Sequence, residues 1–326
     1  TEIYTLSLHD ALPISADFDG NGSADLASAN YGESAISIVL NNGDGTFAGA
    51  VSVPVGQTPT GLCAHDLDGD GIPDLAVTYI GAGADTNGLT VLHNVGSGTF
   101  TVLGTYTVGS WPSWVHAVDL DLDGDGDLAV VNREDNSLTV LLNDGSGAFS
   151  PTAQPIVLGT LPWAVTSGDV NADGAPDLVV SIWGNNALAV LPGNGDGTFA
   201  APTELAVGNN PIEVYAGDLN GDGLQDLATA NAGSNEVSSS TISVLLNLGG
   251  GTFGTAVSYE VGAGPITVQA GDLDGDGDID LAAANHKSHD ISVLRNSRAG
   301  VFTVVTTFGA GTGPHSACVG DFDADG

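Results

Sequence analysis

The chain has 326 residues, of which 40 are acidic and only 4 (Arg133, Lys287, Arg295 and Arg298) are Lys or Arg, a formal charge of −36. That balance excludes nucleic acid and anionic lipid as partners, since both are held through Lys and Arg. Clustered acids beside 42% hydrophobic residues exclude a wholly disordered chain, and no apolar run reaches the ~18 residues that span a bilayer.

Taken in chain order, residues 1–14 (TEIYTLSLHDALPI) resemble nothing downstream. They read as the in-frame translation of a sequencing-library adapter, so 1–14 is set apart as an artefact. Residues 15–326 are taken as one propeller domain, truncated at both ends. From Asp17 onward an acidic cluster recurs, its first aspartates at Asp17, Asp66, Asp119, Asp169, Asp218, Asp272 and Asp321, spaced by 49, 53, 50, 49, 54 and 49 residues. A period near fifty signals a propeller or a solenoid.

Each cluster is followed by a short apolar run such as Leu75-Ala76-Val77 or Leu178-Val179-Val180, then a polar loop. Next comes an alternating segment, as in Ile36 to Leu40, Leu89 to Leu92, Leu138 to Leu142 and Ile242 to Leu246. A glycine turn ends at Phe47, Phe100, Phe149, Phe199, Phe253 or Phe302, and a further β-rich stretch leads to Pro59, Pro112, Pro162, Pro211, Pro265 or Pro314. No segment suits an ordinary helix. Four short strands per unit with Gly/Pro turns predict an all-β fold, a β-propeller of four-stranded blades. About six blades are expected here and seven in a longer parent. Along the strand entering each acidic loop, Leu62, Val115, Val165, Val214 and Val268 share one face and are expected in the core. Pro314 to Gly320 has the character of such an entering strand and is expected beside Asp25–Ala29, in place of the one the adapter replaced.

The loops follow Asp-x-(Asp/Asn)-x-(Asp/Asn)-Gly-x-x-Asp-Leu. Complete copies place side-chain oxygens at Asp17, Asp19, Asn21, Asp25; at Asp66, Asp68, Asp70, Asp74; and at Asp119, Asp121, Asp123, Asp127. The others are Asp169, Asn171, Asp173, Asp177; Asp218, Asn220, Asp222, Asp226; and Asp272, Asp274, Asp276, Asp280. A hard cation takes about six to eight oxygens at ~2.3–2.6 Å. Alternating residues can aim oxygens at one point, a sixth-position glycine permits the sharp turn, and a seventh-position carbonyl (Ser23, Ile72, Asp125, Ala175, Leu224, Asp278) adds a ligand. Carboxylates ~5 Å apart repel by roughly 1–3 kcal/mol per pair at intermediate dielectric, a cost that a cation removes. All-oxygen ligation disfavours zinc and copper, and Mg²⁺ holds its own water, so about six Ca²⁺ sites are expected. The EF-hand is excluded because Ser28, Val77, Val130, Val180, Thr229 and Ala283 stand where its bidentate Glu would be.

These motifs make the chain resemble the FG-GAP or VCBS repeat proteins, whose relatives include the integrin α-chain propellers. The resemblance covers Asp17 to Gly326. It implies that each acidic loop is the hairpin between the first and second strands of a blade and holds Ca²⁺ on one face. It also implies a secreted or cell-surface protein used in adhesion, ligand binding or as a module beside an enzyme. Asp321, Asp323 and Asp325 lack downstream ligands and stay unassigned.

The four tryptophans, Trp111, Trp114, Trp163 and Trp183, fall in or beside loops expected on the opposite face. They suit a sugar or a protein hot spot, or else wedge gaps between blades. His65, His93, His116, His286, His289 and His315 are scattered and receive no role, and no nucleophile motif or phosphate loop is present. Cys63 and Cys318, at equivalent positions of different repeats, are expected as free, buried thiols. The expected function is an extracellular, calcium-binding, non-enzymatic adhesion or ligand-binding module for an unknown protein or glycan. The alternatives are the propeller of a polysaccharide-cleaving enzyme and a passive module beside a catalytic domain.

Overall fold

A computed structural model describes residues 14–83, 86–152, 154–233 and 240–317. These form six antiparallel sheets in which strands adjacent in sequence are adjacent in space, the blade unit of a β-propeller. No α-helix occurs among the described residues, and no helix is long and apolar enough to cross a membrane.

Blade 1 comprises Ile14–Ala16, Asp25–Asn30, Ala35–Val39 and Val51–Pro54; blade 2 comprises Pro59–His65, Asp74–Tyr79, Gly88–Asn94 and Phe100–Thr107. Blade 3 has Pro112–Val118, Asp127–Asn132 and Ser137–Asn143, with its outer strand broken into Phe149–Pro151 and Ile156–Val157. Blade 4 is Pro162–Gly168, Asp177–Ile182, Ala187–Leu191 and Thr203–Ala206; blade 5 is Pro211–Gly217, Asp226–Asn231, Thr241–Leu245 and Val257–Glu260. Blade 6 is Pro265–Gly271, Asp280–Asn285, Asp290–Asn296 and Phe302–Gly309. The acidic loops are the hairpins between first and second strands, numbered here with their blades.

Each second strand runs from an aspartate through small and β-branched residues and is covered on both faces, as in the fully buried DLAVVN of Asp127–Asn132. Such strands read as apolar runs rather than alternations. The predicted core face of the first strands holds: Val115, Val165, Val214 and Val268 are nearly inaccessible and Leu62 is buried.

The chain divides into two compact units, blades 1–3 and blades 4–6, the Gly195–Thr198 turn counting with the first. In the first, Phe18, Ile36 and Ile38 pack on Leu75, Val77 and Leu92, and a second cluster joins Leu89 and Val91 to Val115, Leu128 and Leu141. In the second, Leu188 and Val190 meet Val214 and Leu227, while Ile242 and Val244 meet Leu281 and Leu294. Within each unit the core is therefore laid between successive blades, each fully buried Leu or Ile contributing ~1.5–3 kcal/mol. The register phenylalanines close it: Phe100 stands edge-on to Phe18, Phe149 to Tyr106 and Phe302 to Tyr259, with centroids 5.6, 5.5 and 5.7 Å apart.

Two expectations need restating. The edge of blade 1 that was to be filled by Pro314 to Gly320 is occupied by Ile14–Ala16, paired with Asp25, Leu26 and Ala27. Pro314 to Ala317 carries no strand, and Cys318 to Gly326, including the partial seventh motif, lies outside the described residues. Cys63, expected as a buried thiol, is free but only partly buried, and desolvation pushes its thiol up to about 12.

Candidate metal centres

The six hairpins share one hydrogen-bonding plan. The sixth-position glycines (Gly22, Gly71, Gly124, Gly174, Gly223, Gly277) take φ between 85° and 99°, which a Cβ would oppose. That turn brings each glycine N–H onto the first aspartate at 2.8–3.0 Å, from Gly22 to Asp17 through Gly277 to Asp272. The fifth residue accepts from the seventh N–H, as in Ile72 to Asp70 (2.8 Å) and Asp125 to Asp123 (3.0 Å). Backbone donors thus hold the oxygens before any ion arrives.

The ninth-position aspartates are buried in every hairpin, at 0–1% exposure. One oxygen accepts the N–H of the second loop residue, from Phe18 to Asp25 (2.7 Å) through Leu273 to Asp280 (3.1 Å). The other accepts a backbone N–H where the third strand ends, at Asn41, Asn94, Asn143, Gly193, Asn247 and Asn296, at 2.7–2.8 Å. This aspartate therefore ties the hairpin to the third strand as well as facing the candidate site. Burial raises the carboxyls of Asp25, Asp74, Asp177 and Asp226, and lifts Asp127 to about 6. Such groups favour a nearby cation.

Carboxylate oxygens converge within 4.8 Å of one another at Asp17/Asp19/Asp25, Asp66/Asp68/Asp70, Asp119/Asp121/Asp127 and Asp272/Asp274/Asp276. In hairpins 4 and 5 the third position is an amide, Asn171 or Asn220, whose oxygen accepts from Asp173 or Asp222 (both 2.8 Å). In hairpin 3 the Asp121 Oδ1 is buried without a hydrogen-bond partner, and its carboxyl is raised by burial and then by Asp123. An orphaned carboxylate oxygen inside a ring of oxygens is what a cation site leaves when only protein atoms are counted. The donor set, oxygen throughout, fits a hard divalent ion.

Sequence reasoning missed two features. The first is an asparagine after the third strand whose side chain reaches the preceding blade. Asn94 Nδ2 donates to the Phe18 carbonyl (2.9 Å), Asn143 to Leu67 (2.9 Å), Asn247 to Val170 (2.7 Å) and Asn296 to Leu219 (2.6 Å). The recurrence of Asn41, Asn94, Asn143, Asn247 and Asn296 six residues before a register Phe was the available signal. The second is a nitrogen-bearing side chain beside the third loop position. His93, given no role above, lies with Nδ1 2.7 Å from Asp68, and Arg295 Nε lies 2.6 Å from Asp274.

Three of the remaining histidines are less dispersed than their spacing implied: the His286 and His315 rings lie 4.4 Å apart, tilted by 59°, and the Gly313 N–H donates to His289 Nδ1 (2.8 Å). Trp111 and Trp114 lie in the first unit, Trp163 and Trp183 in the second, and all four are partly buried. Trp111 takes a φ of 53°, and its carbonyl accepts the Arg133 N–H. The same left-handed residue precedes the proline at Thr58, Leu161, Asn210, Gly264 and Gly313, so this strain belongs to the blade plan and does not single out a ligand site.

Among solved structures, a lectin from Agrocybe aegerita, described as recognising non-reducing terminal N-acetylglucosamine, is 20% identical over 91% of this chain and 80% of its own, with a TM-score of 0.59. A functionally unknown protein from Desulfotomaculum acetoxidans is 12% identical over 93% and 86%, with a TM-score of 0.66. The periplasmic gluconolactonase of Pseudomonas aeruginosa is 16% identical over 89% and 83%, with a TM-score of 0.63. At these identities the likeness is one of fold. No curated protein sequence matches the chain. The family description FG-GAP-like repeat matches residues 17–77, 119–180, 169–229, 232–283 and 272–326. Four of these five matches start at or run across the first aspartates of two successive acidic loops, and together they cover well over half of the sequence: the chain belongs to the FG-GAP-like repeat family.

Proposed function

We propose that the chain is a calcium-loaded propeller module that presents a loop face to an extracellular protein or glycan and carries out no chemistry itself. The observation that supports this most is the repeated hairpin, in which backbone N–H groups fix oxygens around one point and a buried carboxylate closes the set. Calcium suits these oxygens better than magnesium, because each loop offers many oxygen donors and magnesium holds its own water. Millimolar extracellular calcium fills even weak sites of this kind. The ligand reading rests on tryptophan-bearing loops, Trp111 and Trp114 in one unit and Trp163 and Trp183 in the other, and a coordinated carboxylate makes a poor general acid.

Exhaustive chelation followed by calcium titration tests the first part. Uptake of about six ions per chain with a clear rise in Tm is expected. No uptake, with the same Tm in calcium and in chelator, refutes it. A glycan array and pull-down with the wild type and a Trp111→Ala/Trp163→Ala variant test the second. A calcium-dependent release of reducing or unsaturated ends from acidic polysaccharides would replace binding with catalysis.

A further inference from the structure

The residue preceding the asparagine or glycine that closes the third strand is apolar in four blades: Leu40, Leu142, Pro192 and Leu246. In blade 2 it is His93, and the imidazole enters hairpin 2. Its Nδ1 lies 2.7 Å from Asp68 Oδ2 and 3.4 Å from Asp74 Oδ1, and the three ligand atoms fall within 4.8 Å of one another. That nitrogen is buried yet makes no hydrogen bond of acceptable geometry. Asp74 is fully buried, its oxygens held by the N–H groups of Leu67 and Asn94, so it cannot swing away from the ring.

Ligand atoms at ~2.0–2.1 Å from a zinc ion are separated by about 2.8–3.4 Å, depending on coordination geometry. The nitrogen–oxygen distances in hairpin 2 lie close to that range, and their poor hydrogen-bond alignment is what two donors aimed at a common third atom produce. One imidazole added to carboxylates also shifts preference from hard cations toward borderline d-block ions. We propose that hairpin 2 is a transition-metal site of the zinc class, with His93 Nδ1, Asp68 and Asp74 as protein ligands and solvent completing the shell. The proposal rests on the metal-hairpin reading, replaces calcium by zinc in one hairpin of the six so that five remain for calcium, and makes the position of His93 the determinant of metal choice. Blade 6 fills the same position with Arg295, a fixed positive charge on Asp274.

The test is calorimetric titration of Zn²⁺ into calcium-saturated protein, wild type against His93→Leu. Leucine occupies the equivalent place at Leu40, Leu142 and Leu246, so the variant is expected to fold, and His93→Gln serves should it not. One zinc per wild-type chain is expected, with affinity at least tenfold weaker in either variant. Pulsed EPR of bound Cu²⁺ should show imidazole nitrogen coupling in the wild type and lose it in the variants. No zinc uptake by the wild type, or uptake unchanged by both variants, overturns the proposal. If calcium still fills the other hairpins in that case, only this inference falls. His93-dependent zinc in a chain that takes no calcium sinks the calcium reading and leaves this one standing.

Discussion

Replacing Asn143 by alanine removes a small side chain from the surface of no pocket, yet it should be among the costliest polar substitutions in the first unit. Its Nδ2 donates to the carbonyls of Leu67 (2.9 Å) and Gly126 (3.1 Å), and its Oδ1 accepts from Gly147 (3.2 Å) and Gly145 (3.3 Å). The residue is 6% exposed. Alanine leaves two buried carbonyls without a donor, at about 1–3 kcal/mol each. Relaxation and entering water reduce the sum, so a loss of about 3 kcal/mol is expected. For a cooperative unit of roughly 150 residues that corresponds to a fall in Tm of about 6–12 °C. Asn41→Ala is the control, because Asn41 Nδ2 donates only within its own hairpin, to Ala24 at 3.2 Å in an exposed setting. It should cost under about 1 kcal/mol. Urea unfolding followed by tryptophan fluorescence, with hydrogen exchange to assign the loss to blades 2 and 3, measures both. Equal costs for the two variants would refute the idea that the bridge to the preceding blade carries the stability.

Two further outcomes follow from single residues. Glu213 accepts from Val268 N (2.9 Å) and Gln269 Nε2 (3.1 Å) of the next blade, and burial raises its carboxyl to about 8 from 4.5. A raised acid keeps its proton in the native state while the unfolded chain loses it. Its contribution is therefore intact below pH ~4.5, declines as pH climbs toward ~8, and is flat beyond. The ceiling of about 5 kcal/mol shrinks to ~2 kcal/mol once water access is allowed for. Glu213→Gln should flatten this part of the stability–pH curve and raise Tm at pH ~8; an unchanged slope argues against it. In blade 4, Gly193 stands where the other blades carry asparagine, and an added Cβ would lie 2.1 Å from the Pro176 carbonyl. Gly193→Asn is thus expected to destabilise by ~2 kcal/mol or more through backbone displacement, as read by thermal unfolding, and a gain in Tm would contradict the clash.

Much of the plan could be read along the chain because its causes are local. An aspartate, its glycine five residues on and the apolar run after them interact within one turn, so the hairpin register and the sixth-position glycines appear directly in sequence. Position four of the loop was less visible: Leu122 and Ala172 adopt left-handed φ values of 62° and 61° there, where hairpins 1, 2, 5 and 6 use glycine. The role of Asn143 was not legible because its partner carbonyl lies 76 residues upstream. His93 was given no role for a similar reason, since Asp68 is brought to it only when three strands have paired. Ile14–Ala16 is three residues long and begins on the last residue of the stretch read as foreign, so pairing with Asp25–Ala27 rather than pattern reveals it.

The asparagine bridges also impose an order in time. Each points back toward the ribosome's earlier output: the carbonyl of Phe18, Leu67, Val170 or Leu219 waits 76 or 77 residues for its donor to emerge. A newly made hairpin of blade 1, 2, 4 or 5 therefore stays provisional through the synthesis of about one and a half further repeats, until the asparagine of the next blade locks it.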